Sequence, residues 1–264
     1  MNIPEFVNIP PGGIENIVVP ASDFYRVIDE AMDLQGKGDI AGALTKWQQA
    51  LEMDPADARA NNGMGIALGL SGKSDAAIPY FQKAVGAEKD FFEAYYNLGV
   101  IFAKEDRVDQ AIDAWQNVVR IRPAFAQGHE NLGYALYMQA EFSGSLAQLR
   151  LALEEEPNRL FALNLAASLL ATCPDSSVRN GGEALSLAER AKQLTGGKDP
   201  AVLDTLSAAH AENGNFAEAI EIEQQGLALA TQQGDSALEA RLKAHLARYA
   251  SKEPLREAPS GTAF

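Results

Sequence analysis

Amphipathic stretches of about a dozen residues alternate along the chain with short polar breaks, the pattern of paired helices rather than of strands. From Phe92 to Lys104, Tyr95, Leu98, Gly99 and Phe102 follow the i, i+3, i+4, i+7 spacing that lines one helix face. From Val108 to Val119, Val108, Ala111, Ile112, Trp115, Val118 and Val119 predict a second amphipathic helix. Glu105-Asp106-Arg107 forms the polar turn between them. Elsewhere the break reads Gly36-Lys37-Gly38-Asp39 or Ser71-Gly72-Lys73-Ser74, where glycine can supply left-handed backbone angles.

The pair recurs with a period of 34. Small residues fall at Ala31, Gly65, Gly99, Gly133 and Ala167; a second small series runs Ala43, Ala77, Ala111 and Ser145. Large side chains follow at Trp47, Phe81, Trp115 and Leu149, then Ala50, Ala84, Val118 and Ala152. Proline closes units at Pro55, Pro123 and Pro157, with Lys89 at the skipped position. The small residues let paired helices approach, and the Trp/Phe series is expected to fill the space between neighbouring repeats. Proline ends a unit because it cannot continue a preceding helix, yet fits the first turn of the next.

The counting gives repeats at 24–57, 58–91, 92–125 and 126–159. In a fifth, 160–199, the second helix's alanine is expected at position 179 but appears at Ala184, which places an insertion within 173–182. A sixth covers 200–233, and Ser236–Ala250, with Leu238, Leu242, Leu246 and Tyr249 on one face, predicts a capping helix. Residues 1–21 carry four prolines and Gly12-Gly13, so an extended segment is expected there. Ile3, Phe6, Val7, Ile9, Ile14, Ile17, Val18 and Val19 make it too apolar for an idle linker. Residues 251–264 read as a flexible tail.

These positions resemble the tetratricopeptide repeat (TPR) family, whose pattern of Leu-small, Ala, bulky aromatic, Ala and Pro appears as Leu98-Gly99, Ala111, Trp115, Val118 and Pro123. The stretches Leu169–Asp175, Arg179–Gly182, Leu194–Pro200 and Leu203–Leu206 look like a C-terminal module of bacterial TPR proteins. The resemblance implies an all-α, right-handed superhelical solenoid of antiparallel helix pairs. It also implies a partner peptide in a concave groove lined by Arg59, Asn62, Ile66, Tyr96, Asn97, Val100, Lys104, Glu130, Asn131, Tyr134, Tyr137, Asn164 and Ser168. Asparagine can pair with a backbone amide, and tyrosine offers a rigid apolar body with a polar tip. Exposed rings at Tyr96, Tyr134 and Tyr137 are the expected anchors. The family's carboxylate clamp needs a basic cluster, and the groove offers only Arg59 and Lys104, opposed by Glu130, so a chaperone-tail adaptor is disfavoured.

Charge narrows the partner. With 36 acidic and 22 basic residues the net charge is −14, which repels nucleic acid and anionic lipid and favours a neutral or basic protein segment. Met1–Pro10 lacks the basic and apolar regions of a signal peptide, and no run of 18 or more apolar residues exists, so no direct membrane insertion is expected. Proteins of this resemblance occur in the bacterial cytoplasm or as extracytoplasmic domains of envelope proteins.

Catalysis finds little support. His129, His210 and His245 lie in separate predicted helices, and no HExxH, GxSxG or GxxxxGK[ST] motif occurs. His210 sits at a core position of the family pattern. Cys173 is the single cysteine, excludes an intrachain disulfide, and reads as a helix-end residue. No cofactor and no metal site are expected. Three readings follow: a groove-binding adaptor, a self-assembling scaffold forming a homo-oligomer through residues 3–20, and an accessory domain of a larger enzyme.

Overall fold

The computed structural model describes residues 23–256; the apolar segment within 3–20 lies outside the described residues. Thirteen α-helices and no strand occur among the described residues. The first unit, up to Ala124, holds α1 (Asp23–Gly36), α2 (Ile40–Met53), α3 (Ala58–Leu70), α4 (Ser74–Ala87), α5 (Phe92–Lys104) and α6 (Val108–Ile121). The second, from Phe125, holds α7 (Ala126–Met138), α8 (Phe142–Glu155), α9 (Leu160–Thr172), α10 (Gly181–Thr195), α11 (Pro200–Glu212), α12 (Phe216–Gln233) and α13 (Ser236–Ala250).

One turn design joins the helices of a pair. Gly38, Gly72, Asp106 and Ala140, each 34 residues apart, have positive φ, as does Gly214. Around each, two amides close back on the preceding helix. In the second repeat Gly72 N–H donates to Gly69 O at 3.1 Å and Lys73 N–H to Leu68 O at 3.0 Å. The same bonds recur at 106/107, 140/141 and 214/215. This is the Schellman arrangement, which satisfies carbonyls that a helix end leaves open. At the opposite ends, the side chains of Asp39, Asp57, Asn180, Asp199 and Asp235 accept from first-turn amides of the following helix.

In the first unit successive helices pack against one another, and α1, α3 and α5 also stack side by side. Trp47, Phe81 and Trp115 are buried to 2% exposure or less. Phe81 lies over Gly65 of its own repeat, where a Cβ would come 2.7 Å from the ring, and Trp115 covers Gly99 so closely that any Cβ would overlap the indole. Trp47 instead lies against Gly63 of the following repeat. The aromatic series thus fills space within repeats as well as between them.

In the second unit α7, α9, α11 and α13 stack in turn beside α8, α10 and α12. A loop over 173–180 joins α9 to α10 and is pinned at several points. Asn180 N–H donates to Leu170 O at 2.9 Å, Arg179 reaches Cys173 O at 2.6 Å and Glu212 at 3.1 Å, and Val178 is buried. The tail expected to begin at 251 packs through Arg256. Leu255 is 3% exposed within the core, and Arg256 meets Glu212 at 2.7 Å. An apolar side chain placed beside an open core edge is held there by the area it removes from water.

Candidate protein-binding site

The positions expected to contact a partner lie on α3 and α5 in the first unit and on α7 and α9 in the second. In the first unit most are enclosed. Tyr96 is 1% exposed and Asn97 and Val100 are 0%; Ile66 and Asn62 are buried too. Asn97 Nδ2 donates to Asn62 Oδ1 at 3.1 Å, bracing α5 on α3. Tyr96 is therefore not the exposed anchor the sequence suggested: stacking of α3 beside α5 encloses it. What stays accessible is Lys104, half-buried Arg59, and Tyr25 at 48% exposure, whose ring the Arg59 guanidinium covers at 5.2 Å.

In the second unit an aromatic step remains open. Tyr134 is buried at 8% exposure, against expectation, because Phe161 stands edge-on to it at 5.3 Å and Tyr137 lies nearly parallel at 6.4 Å. Burial pushes the Tyr134 phenol above its ordinary pKa. Phe161 itself is 42% exposed, and Tyr137, Asn164 and Ser168 are half-buried. Beside the step, Arg159 at the start of α9 donates to both oxygens of Glu130, at 2.7 and 3.0 Å, to Glu156 at 2.9 Å, and to Gln127 Oε1. Gln127 in turn donates to Asn131 Oδ1 at 3.1 Å, and Glu130 and Asn131 are buried. Burial opposes the Arg159 charge, but the Glu130 and Glu156 carboxylates outweigh it and hold its pKa above the usual value. An open cavity of roughly 570 Å³ lies among Glu130, Glu156, Arg159 and Phe161.

Phe161 and Tyr25 were missed by sequence reasoning although a signal was present. Tyr25, Arg59, Gln127 and Phe161 share one register of the 34-residue period. The position that singled out Arg59 also selects both aromatics.

The second unit also holds a buried polar cluster that no sequence motif marked. His245 Nδ1 on α13 lies 2.7 Å from Asp204 Oδ1 on α11 and 3.3 Å from Glu223 Oε1 on α12. The Glu223 side chain is 0% exposed. Burial pushes its carboxyl up to about 7, a rise that Asp204's charge supports and that hydrogen bonding to His245 opposes. Arg241 meets the outer oxygen of Asp204 at 3.0 Å.

Antiparallel helix pairs joined by a repeated left-handed turn, with glycine beneath an aromatic ring, define a helical-repeat scaffold. Residues 28–87 and 64–126 match the family described as "Tetratricopeptide repeat", so this stretch of the chain carries such repeats. The chain's fold is that of solved TPR solenoids. It resembles YrrB, "a TPR protein with an unusual peptide-binding site", at 20% identity and TM-score 0.65, over 75% of this chain and 97% of that one. It is also similar to Pseudomonas aeruginosa PilF (17% identity, TM-score 0.68, 84% and 97% covered). A third likeness is PilW, a "widely conserved type IV pilus biogenesis factor" (18% identity, TM-score 0.63, 84% and 99% covered). No curated protein matches the chain. Tetratricopeptide repeats form protein-interaction scaffolds, generally non-enzymatic, whose partners are proteins or peptides. No helix among the described residues is long and apolar enough to cross a membrane.

Proposed function

We propose that this chain is an adaptor that holds an extended, neutral or basic segment of a partner protein on its first-helix faces, with the Phe161–Tyr134–Tyr137 step of the second unit as principal anchor. The observation that carries this reading is Phe161. A large aromatic ring at 42% exposure, seated on a second ring and rimmed by a satisfied Arg159–Glu130–Gln127 network, has the make-up of a binding hot spot with a polar border. Ser168, half-buried on the same helix, supplies a hydroxyl for a peptide backbone, while the Asn164 side-chain oxygen is enclosed. The net charge of −14 favours a basic or neutral ligand. In the first unit, Arg59 and Tyr25 offer a smaller site of the same register.

The test uses a random displayed-peptide library selected on the immobilised chain, followed by fluorescence anisotropy with the recovered peptides. Phe161→Ala is expected to weaken them about tenfold or more, as truncation of a hot-spot aromatic does. Tyr25→Ala is expected to leave their affinity within about twofold, since Tyr25 lies outside the second-unit anchor. Recovery of no peptide, or equal binding by the wild type and Phe161→Ala, would overturn the proposal.

A further inference from the structure

Three helices that close the second unit each send one ionisable side chain to a common interior point. Asp204 comes from α11, Glu223 from α12 and His245 from α13, and their nearest donor atoms all lie within 4.8 Å of one another. All three residues are buried.

The hydrogen-bond supply at this point falls short of demand. Asp204 Oδ1, at 2.7 Å, makes the short contact to His245 Nδ1, and Glu223 Oε1 stands back at 3.3 Å. Arg241, half-exposed, meets the other oxygen of Asp204 from the outside. Ser207 on α11 donates to Ala219 O at 2.8 Å. Glu223 is fully enclosed; His245 and Ser207 are its neighbouring donors, and neither meets its oxygens in good hydrogen-bond geometry. A buried carboxylate in that position is costly unless something further compensates it.

We propose that Asp204, Glu223 and His245 bind one divalent transition-metal ion of the zinc class, through Oδ1, Oε1 and Nδ1. The donor set is one imidazole and two carboxylates, a combination that zinc accepts. Tetrahedral zinc holds such atoms about 2.0–2.2 Å from the metal and hence about 3.3 Å apart. The 3.3 Å separation of Nδ1 from Glu223 already matches, and the 2.7 Å separation from Asp204 has to open by about 0.6 Å to reach the same tetrahedral spacing. Two carboxylates balance the ion's charge, and Arg241 orients Asp204 from outside. The ion fastens the last helix to the pair beneath it, so that closure of the array depends on metal supply.

The experiment uses the intact chain, stripped with chelator, at pH 7.5. Zinc chloride is titrated in by calorimetry in two buffers of different ionisation enthalpy, and metal content is measured after equilibrium dialysis. One equivalent of zinc is expected, with proton release and a raised melting temperature. Glu223→Gln and His245→Gln are expected to weaken uptake about tenfold or more; Cys173→Ser and His210→Gln are expected to retain it. No stoichiometric uptake by the wild type overturns the proposal, as does uptake unchanged in Glu223→Gln and His245→Gln or abolished by Cys173→Ser or His210→Gln. A wild type that takes up no zinc but whose stability falls as pH rises through neutrality would make the cluster a proton-bridged clasp instead, and also overturns it. Should the variants not fold, cobalt(II) on the wild type decides: the intense visible bands of a low-coordinate site support the proposal, and the weak spectrum of the aquo ion overturns it.

Discussion

Asp106 and Ala140 hold the left-handed backbone that glycine holds at 38 and 72, with φ of 57° and 59° against 80° and 75°. A Cβ in that region meets the following carbonyl, at about 1–2 kcal/mol for an ordinary residue, whereas glycine has none to clash. Asparagine or aspartate lowers the penalty by local hydrogen bonding, and alanine cannot. Ala140→Gly is therefore expected to stabilise the protein by about 0.5–1 kcal/mol, the relief of strain exceeding glycine's added freedom in the unfolded chain. Urea unfolding measures it, and a lower midpoint for the variant would contradict the account. The glycine turns were legible from composition, but the turn at 140 is visible only by register. Phe161 was legible in the same way. Tyr96 misled because a helical position tells which face a ring is on, not how near the next helix stands.

At the scale of the element, the end of α9 shows how an insertion is absorbed without loosening the core. Cys173 leaves the helix with its thiol enclosed, and Arg179 returns eight residues of loop by capping its carbonyl. Burial pushes the Cys173 thiol above its ordinary pKa, and a backbone hydrogen bond from Asp175 and the charge of Arg179 only partly oppose it. A raised pKa means that thiolate forms later as pH climbs, so at pH 8 less of it is present than in a free cysteine. Iodoacetamide is expected to react slowly with the native chain, with a rate profile displaced to higher pH than for a cysteine peptide. A profile at or below the peptide's would show that the thiol is not held this way. The second helices of the early pairs were legible because they combine an apolar and a polar face, and the more enclosed first helices because they recur in the same register. The interruption within 173–182 showed as lost register. The Asp204–Glu223–His245 cluster was not legible: its members sit on three helices at irregular spacings, Asp204 and His245 being 41 positions apart.

At the scale of the whole molecule, residues 251–256 after α13 pack on the second unit's core through Leu255. Leu255 joins Tyr249 and the side chains of α9 and α11. Ending the chain at Ala250 removes that side chain and leaves Glu212 paired with Arg179 alone. The ion pair is partly exposed and adds little, so the loss is mainly apolar, about 2 kcal/mol. A fall of several degrees in melting temperature is expected, and Leu255→Ala should reproduce most of it. An unchanged melting curve for both would mean that the contact is not kept in solution. The sequence missed this contact because a single leucine after Pro254 has no periodicity to reveal it.

The four evenly spaced turns at 38, 72, 106 and 140 have a consequence for how such a chain changes over generations. A segment such as 58–91 starts and stops at equivalent points of one cycle, so its in-frame duplication or loss rejoins like with like. The early repeats are interchangeable parts, and their number is an adjustable trait. From the fifth repeat onward the bonds are one of a kind: Arg179 to Glu212, Asn213 to Gly181, His245 to Asp204. Excising a segment there would leave one member of each couple behind. The gene can lengthen or shorten its product near the start, while the far end is inherited as a block.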